Sequence, residues 1–254
     1  MRRVRVIPAL LMQEGGLVKS IQFKNHKYVG DPINAVKIFN EKGADEIVLL
    51  DRSASNSGPN IQQIRDIASE AFMPMAYGGG ITNLEQIREL ILGGVEKVIL
   101  NTNAYIQPSL ITDGAKYVGS QSIVVSIDVK KNWLNKYKVF IRNGSKDTGL
   151  DPVEYAKRVE RAGAGELLLT CIDKDGTFEG YDYQLINAVS KAVSIPVVAS
   201  GGANSSQNFL EAVKNGASAV AAGSLFVFQL PHRAVLISYP SETELKENVF
   251  SQLN

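Results

Sequence analysis

The sequence predicts a single (β/α)8 barrel made of two similar halves, and three observations predict it. The chain reads twice, since the signals at Asp31-Pro32 return at Asp151-Pro152, about 120 residues later. Each half alternates short apolar runs with amphipathic segments, the pattern of strands linked by helical crossovers in a parallel sheet. The 254 residues, 44% of them hydrophobic, are enough for one large core, and barrels of this class take about 250 residues as one domain. The half-barrels are expected at about 1–120 and 121–254.

In chain order, the first strand starts at Arg5 and ends near Leu11. Asp31 and Pro32 read as N-cap and first helical residue: the carboxylate accepts from an otherwise free backbone N–H, and proline has none to lose. Gly43 closes that helix, and Asp45 to Leu50 is the next strand. Met73-Pro74 leads a third strand into the turn Gly78-Gly79-Gly80, and Lys97 opens a fourth that ends at Asn101-Thr102. Ile123 to Ile127 is the fifth, ending at Asp128. Trp133 to Arg142 alternates bulky and polar residues before Asn143-Gly144, which predicts an extra hairpin in the loop that follows. Asp151, Pro152 and Gly163 repeat the helix signals, and Glu166 to Thr170 is the sixth strand. Ile195-Pro196 leads into Ser200-Gly201-Gly202, and the last strand ends at Gly223-Ser224. An open doubly wound sheet would not ordinarily give two equivalent halves.

Composition excludes several classes of function. Lys and Arg total 27 against 26 Asp and Glu, so no broad field draws the chain to nucleic acid or to an anionic membrane. No apolar stretch approaches the roughly 18 residues of a membrane helix, and the start lacks a small-residue cleavage site, so a cytoplasmic protein is expected. The one cysteine, Cys171, has no partner for a disulfide or a two-cysteine metal site, and reads as a small strand-end residue. Neither a metal nor a cofactor is expected.

In such a barrel the reactive groups stand where strands end. The turns Gly78-Gly79-Gly80 and Ser200-Gly201-Gly202 expose backbone N–H groups that an anion can approach, and each half adds small or polar donors one strand later, at Asn101-Thr102 and Gly223-Ser224. Two cradles on opposite sides of the rim suit a small molecule with a phosphate-like group at each end. Asp128, a carboxylate at the mouth of an apolar barrel, suits general acid or base work. Asp51 and Asp175 hold comparable rim positions, where each could bind a hydroxyl or cap a loop. At the opposite ends of the strands Arg5, Glu46, Lys97 and Glu166 could form a charged ring, since charges facing a low-dielectric interior need partners.

On these residues the chain resembles, over nearly its whole length, the cyclase subunit (HisF type) of imidazole glycerol phosphate synthase. The resemblance rests on Arg5 to Pro8, Lys19, Gly30-Asp31-Pro32, Glu46 to Asp51, Gly78 to Ile81, Lys97, Asn101-Thr102, Asp128, Glu166, Asp175-Gly176-Thr177 and Ser200 to Ala203. It implies that Gly80, Asn101 and Thr102 form one phosphate site and Gly176, Gly202, Gly223 and Ser224 the other. It further implies that Arg5, Glu46, Lys97 and Glu166 are an ammonia gate, that Lys19 is a mobile-loop lysine closing over the rim, and that a class I glutaminase (HisH-like) docks under the barrel floor.

One position departs from the family. The cyclases pair two aspartates at the ends of strands one and five, and here the first is Leu11 beside Asp128. A hydrocarbon side chain exchanges no proton, and such a group is worth roughly 10²- to 10⁴-fold in rate. Glu14 stands three residues away, several ångströms from where the acid is needed. Leu10-Leu11, Gly15 to Val18 and the run Leu230 to Pro240 instead resemble a divergent branch associated with acetamidino sugars of surface polysaccharide and O-antigen. There the barrel and its glutaminase would supply ammonia to an ATP-dependent sugar amidotransferase. A genuine cyclase of histidine biosynthesis and a non-catalytic phosphate-ligand sensor that activates the glutaminase are the alternatives.

Overall fold

The computed structural model describes residues 3–253; Met1, Arg2 and Asn254, at the ends of the expected barrel span, lie outside the described residues. The barrel strands are β1 (Arg5–Gln13), β2 (Ile47–Asp51), β3 (Met75–Gly78), β4 (Lys97–Leu100), β5 (Ile123–Lys131), β6 (Glu166–Cys171), β7 (Val197–Ser200) and β8 (Ala219–Ala222). Each pairs in parallel with the next. β8 returns to β1 with Arg5 opposite Ala219 and Ile7 opposite Ala221, so the sheet closes into the expected (β/α)8 barrel.

Successive side chains leave a strand on opposite faces. In β1, Val6, Leu10 and Met12 therefore pack outward beneath the helices, while Ile7 joins Val48, Ile99, Val124, Leu168 and Val198 in a separate apolar cluster along the barrel axis. Helices such as Pro32–Glu41, Leu84–Leu92, Pro152–Ala162 and Ser206–Lys214 bury one apolar stripe against the outer layer. The two Asp-Pro starts behave alike: the Asp31 side chain accepts from Asn34 N at 2.9 Å, and Asp151 accepts from Val153 N at 2.9 Å. Among the described residues, no helix is long and apolar enough to cross a membrane.

Two hairpins rise from the end of the barrel where the strands finish. The one expected after the fifth strand is present, with Tyr137–Ile141 antiparallel to β5. The other corrects the sequence reading. β1 does not stop near Leu11 but runs on to Gln13: Gly16–Ile21, which carries Lys19, pairs back on it with Leu11 opposite Val18, and Lys24–Gly30 extends the hairpin. The physical reason is the turn. Glu14 (φ 51°) and Gly15 (φ 81°) are both left-handed, the twist that suits a two-residue hairpin connection and that glycine adopts at no steric cost.

Candidate functional site

A cavity of about 630 Å³ opens at the C-terminal ends of the strands, the face on which barrels of this kind carry ligands. It brings together all of the rim residues singled out above: Leu11, Lys19, Asp51, Gly80, Asn101, Thr102, Asp128, Asp175, Gly176, Gly202, Gly223 and Ser224. Glu14 is exposed and does not line it.

Asp128 projects from β5 into this mouth and is only 8% exposed. Its carboxylate accepts from Ser126 Oγ at 2.9 Å and from Asn101 Nδ2 at 3.2 Å. Burial disfavours its charge and pushes its pKa up to about 7; Ser126 pulls the other way, and the charge of Asp175 adds to the rise. Asp175, in the loop after β6, is itself raised to about 6, by burial against the opposing charge of Lys19. Lys19 is buried with its Nζ donating to the Ala9 carbonyl at 2.6 Å, and burial pulls its pKa down to about 8. A lysine and two carboxyls thus share one mouth with pKa values near neutrality, the arrangement proton transfer at pH 7 requires.

The hairpin bearing Lys19 is tied down: Gln22 N donates to the Asp175 carbonyl at 2.9 Å and Gln22 Nε2 to that of Asp173 at 2.8 Å. Lys19 Nζ is so near Gly223 that a Cβ there would lie 2.4 Å from it, so the ammonium sits within the second glycine cradle. Gly176 reaches the same side, its carbonyl accepting from Arg233 Nη2 at 3.2 Å. Asp51 is committed locally, since its Oδ1 accepts from Ser53 N at 2.9 Å and Ser53 Oγ at 2.6 Å. Cys171 is buried, and burial pushes its thiol up to about 12, which keeps it protonated.

Gly80 shows why the first cradle needs glycine. Its φ is 64°, and a Cβ there would lie 2.0 Å from the Ala54 carbonyl oxygen. Gly80→Ala is expected to cost about 2–3 kcal/mol from left-handed strain and backbone displacement. Urea denaturation checks this, and a cost below about 0.5 kcal/mol would mean that the turn is adaptable.

Arg5, Glu46, Lys97 and Glu166 stand at the other end of the same strands and form a closed ring of ion pairs. Arg5 bonds to both Glu46 and Glu166, while Lys97 Nζ reaches Glu46 at 2.9 Å and Glu166 at 2.8 Å. The two glutamate side chains are 4% and 6% exposed, so their charges depend on these partners. The bonds from Arg5 and Lys97 outweigh burial and hold Glu166 below the usual carboxylate range.

Several residues of the mouth carry no motif and are missed by sequence reasoning. Ser126 and Thr170 face inward only because they share the strand register of Asp128 and Glu166. Arg52 and Arg142 also line the cavity; the signals available were the strand end at Asp51 and the Asn143-Gly144 turn.

The family model described as "Histidine biosynthesis protein" matches residues 5–230. A protein of Leptospira interrogans named "Putative imidazole glycerol phosphate synthase subunit HisF" is 48% identical over 254 residues, covering 98% of this chain and 100% of the relative. A Pseudomonas aeruginosa protein named "Putative imidazole glycerol phosphate synthase subunit hisF2" is 49% identical, covering 96% and 99% of the two chains. "Imidazole glycerol phosphate synthase subunit HisF" of Thermococcus onnurineus is 48% identical over 225 residues, covering 87% and 88%. A barrel with paired glycine cradles at its mouth and an ion ring at its floor, matched by relatives along nearly its whole length, belongs to the histidine biosynthesis protein family as a HisF homologue.

Proposed function

We propose that this barrel is the synthase subunit of a glutamine amidotransferase complex that supplies ammonia for amidination of an N-acetylated nucleotide sugar. The observation that carries this reading is Leu11, a hydrocarbon in the same mouth as Asp128, set against a complete ring of Arg5, Glu46, Lys97 and Glu166 at the floor. The relatives are named as subunits, which supports a class I glutaminase as partner, docked under the floor. Ammonia released there enters at the ring and rises past Ile7, Val48, Ile99 and Leu168, whose side chains keep bulk water from the axis. In the acceptor reaction, run with an ATP-dependent sugar amidotransferase, ATP converts the acetamido oxygen into a phosphorylated leaving group. The ammonia nitrogen then bonds to that carbon, the C–O bond breaks, and a proton is lost as the amidine forms.

A second reading, imidazole ring closure as in histidine biosynthesis, is favoured by the two raised carboxyls, Asp128 at about 7 and Asp175 at about 6, in one mouth. One experiment separates the two. The barrel, its glutaminase and the sugar amidotransferase are supplied with amide-15N glutamine, ATP and a nucleotide sugar, and the product is identified by mass. The amidination reading expects labelled amidine, and it is abandoned if the barrel does not raise the rate above that of the amidotransferase alone. In the same assay with the cyclase substrate, Leu11→Asp is expected to raise imidazole formation roughly 10²-fold or more, because it restores a second proton-transferring group. Imidazole formed by the unaltered chain at a rate that Leu11→Asp does not improve would establish the cyclase instead.

A further inference from the structure

The wall of the mouth beside Gly80 and Thr102 carries cationic side chains that nitrogen delivery does not use. Arg52 follows the end of β2, and its Nη1 donates to Gln13 Oε1 at 2.8 Å, which orients the guanidinium at the rim. Arg142 stands in the turn that follows Tyr137–Ile141 and leads back to Lys146–Asp147, with its backbone N donating to Thr102 Oγ1 at 3.0 Å. Asn143 Nδ2 donates to the Arg52 carbonyl at 3.3 Å, so the two arginine-bearing segments are tied to each other and to the first cradle. Arg142 and Asn143 both hold left-handed φ, 54° and 55°, a conformation uncommon for residues other than glycine and often kept at functional sites.

His26 lines the same cavity from the other hairpin, and its imidazole is held below its ordinary value, first by burial and then by the charge of Arg52. Among the described residues neither Arg52 nor Arg142 forms an ion pair. The adjacent carboxylate, Asp51, is turned into its bonds with Ser53. Unpaired guanidinium groups on one concave wall make a positive potential that an anion relieves, and their planar forks match phosphoryl oxygens. One phosphoryl group is already provided for by the Gly80 turn and Asn101-Thr102. The arginines stand beyond it.

We propose that this wall is a diphosphate subsite, with one phosphoryl group of a nucleotide on the Gly80 and Thr102 turn and its neighbour forked by Arg52 and Arg142. This deepens the amidination reading and rests on it for the sugar half of the ligand. A nucleotide sugar carries its two phosphoryl groups side by side, whereas two cradles on opposite sides of the mouth alone would suit a ligand phosphorylated at both ends.

The test is equilibrium binding to the full chain by calorimetry, with inorganic phosphate, inorganic pyrophosphate, UDP and UDP-N-acetylglucosamine as probes. Pyrophosphate and UDP are expected to bind at least about tenfold more tightly than phosphate. Arg52→Gln/Arg142→Gln is expected to remove that margin and leave phosphate within about twofold. Equal affinity for phosphate and pyrophosphate, or equal losses for both in the double variant, overturns the proposal, as does UDP binding no better than phosphate. Should the double variant fail to fold, Arg52→Lys/Arg142→Lys keeps the charge and loses the fork, and the expected margin then shrinks without vanishing. UDP-N-acetylglucosamine binding at least as tightly as UDP marks a nucleotide sugar; its exclusion with UDP still bound marks a free nucleoside diphosphate in the same subsite. Absent diphosphate binding with amidine still formed sinks the subsite and spares nitrogen delivery; tight diphosphate binding with no amidine does the reverse.

Discussion

Lys97→Met is expected to destabilise the barrel by about 3–5 kcal/mol, because it leaves Glu46 and Glu166, both almost fully buried, sharing the single cation Arg5. Urea denaturation at pH 7 measures the loss. The pH dependence follows from Glu166, which is held below the usual carboxylate range. A depressed carboxyl contributes stability that is present above its unfolded value of 4.5 and lost as pH falls through the lower folded value. The gap between the parent and Lys97→Met should therefore narrow below about pH 4.5. Lys97→Met/Glu46→Gln leaves one cation facing one anion, Arg5 and Glu166, and is expected to recover most of the stability.

The double variant also separates a gate from a structural layer. If the ring admits ammonia, nitrogen transfer from glutamine should stay impaired after stability returns, while transfer from added ammonium chloride proceeds. If the ring only stabilises the floor, both should return together.

Asp128→Asn is expected to stabilise the fold by about 2–4 kcal/mol at pH 8 and to change it little near pH 4. The carboxyl stands at about 7 in the fold against its ordinary 3.8. The folded state thus holds the proton more tightly than the unfolded chain, so stability declines as pH rises from about 4 through 7. At about 1.4 kcal/mol per pH unit over that interval, ionised Asp128 costs up to about 4 kcal/mol. Asparagine removes the charge and keeps both contacts, with its carbonyl toward Asn101 Nδ2 and its amide toward Ser126 Oγ. Thermal unfolding between pH 4 and 8 reads the difference. A pH-independent difference would mean that Asp128 is not held protonated near neutrality. Stabilisation at pH 8 together with lost nitrogen transfer would mark a residue kept for chemistry against stability.

The barrel was legible because its signals are local. Asp31-Pro32 and Asp151-Pro152 cap helices through their own side chains, and Asn143-Gly144 turns Tyr137–Ile141 back onto Lys146–Asp147 within a few residues of itself. The hairpin over the mouth is not legible in this way, although Glu14-Gly15 is a turn signal, because Lys19 and its neighbours show no clean alternation. Strand-end residues could be named from position alone, since parallel strands of a closed barrel all finish on one face. Their surroundings could not, since Asp51 and Asp175 look alike in sequence, yet Asp51 is turned into its bonds with Ser53 while Asp175 is buried opposite Lys19.

By itself the sequence determined the closed barrel and the placing of glycine turns at the mouth and of four charges at the floor. Those follow from apolar periodicity and from side-chain chemistry, which belong to each residue wherever it lies. Only the tertiary structure decided that Glu46 and Glu166 share two cations, that Asp128 is buried enough to hold its proton near pH 7, and that the segments bearing Arg52 and Arg142 are joined at one cavity. These depend on distance and on the exclusion of water between segments up to 161 residues apart, as Arg5 and Glu166 are.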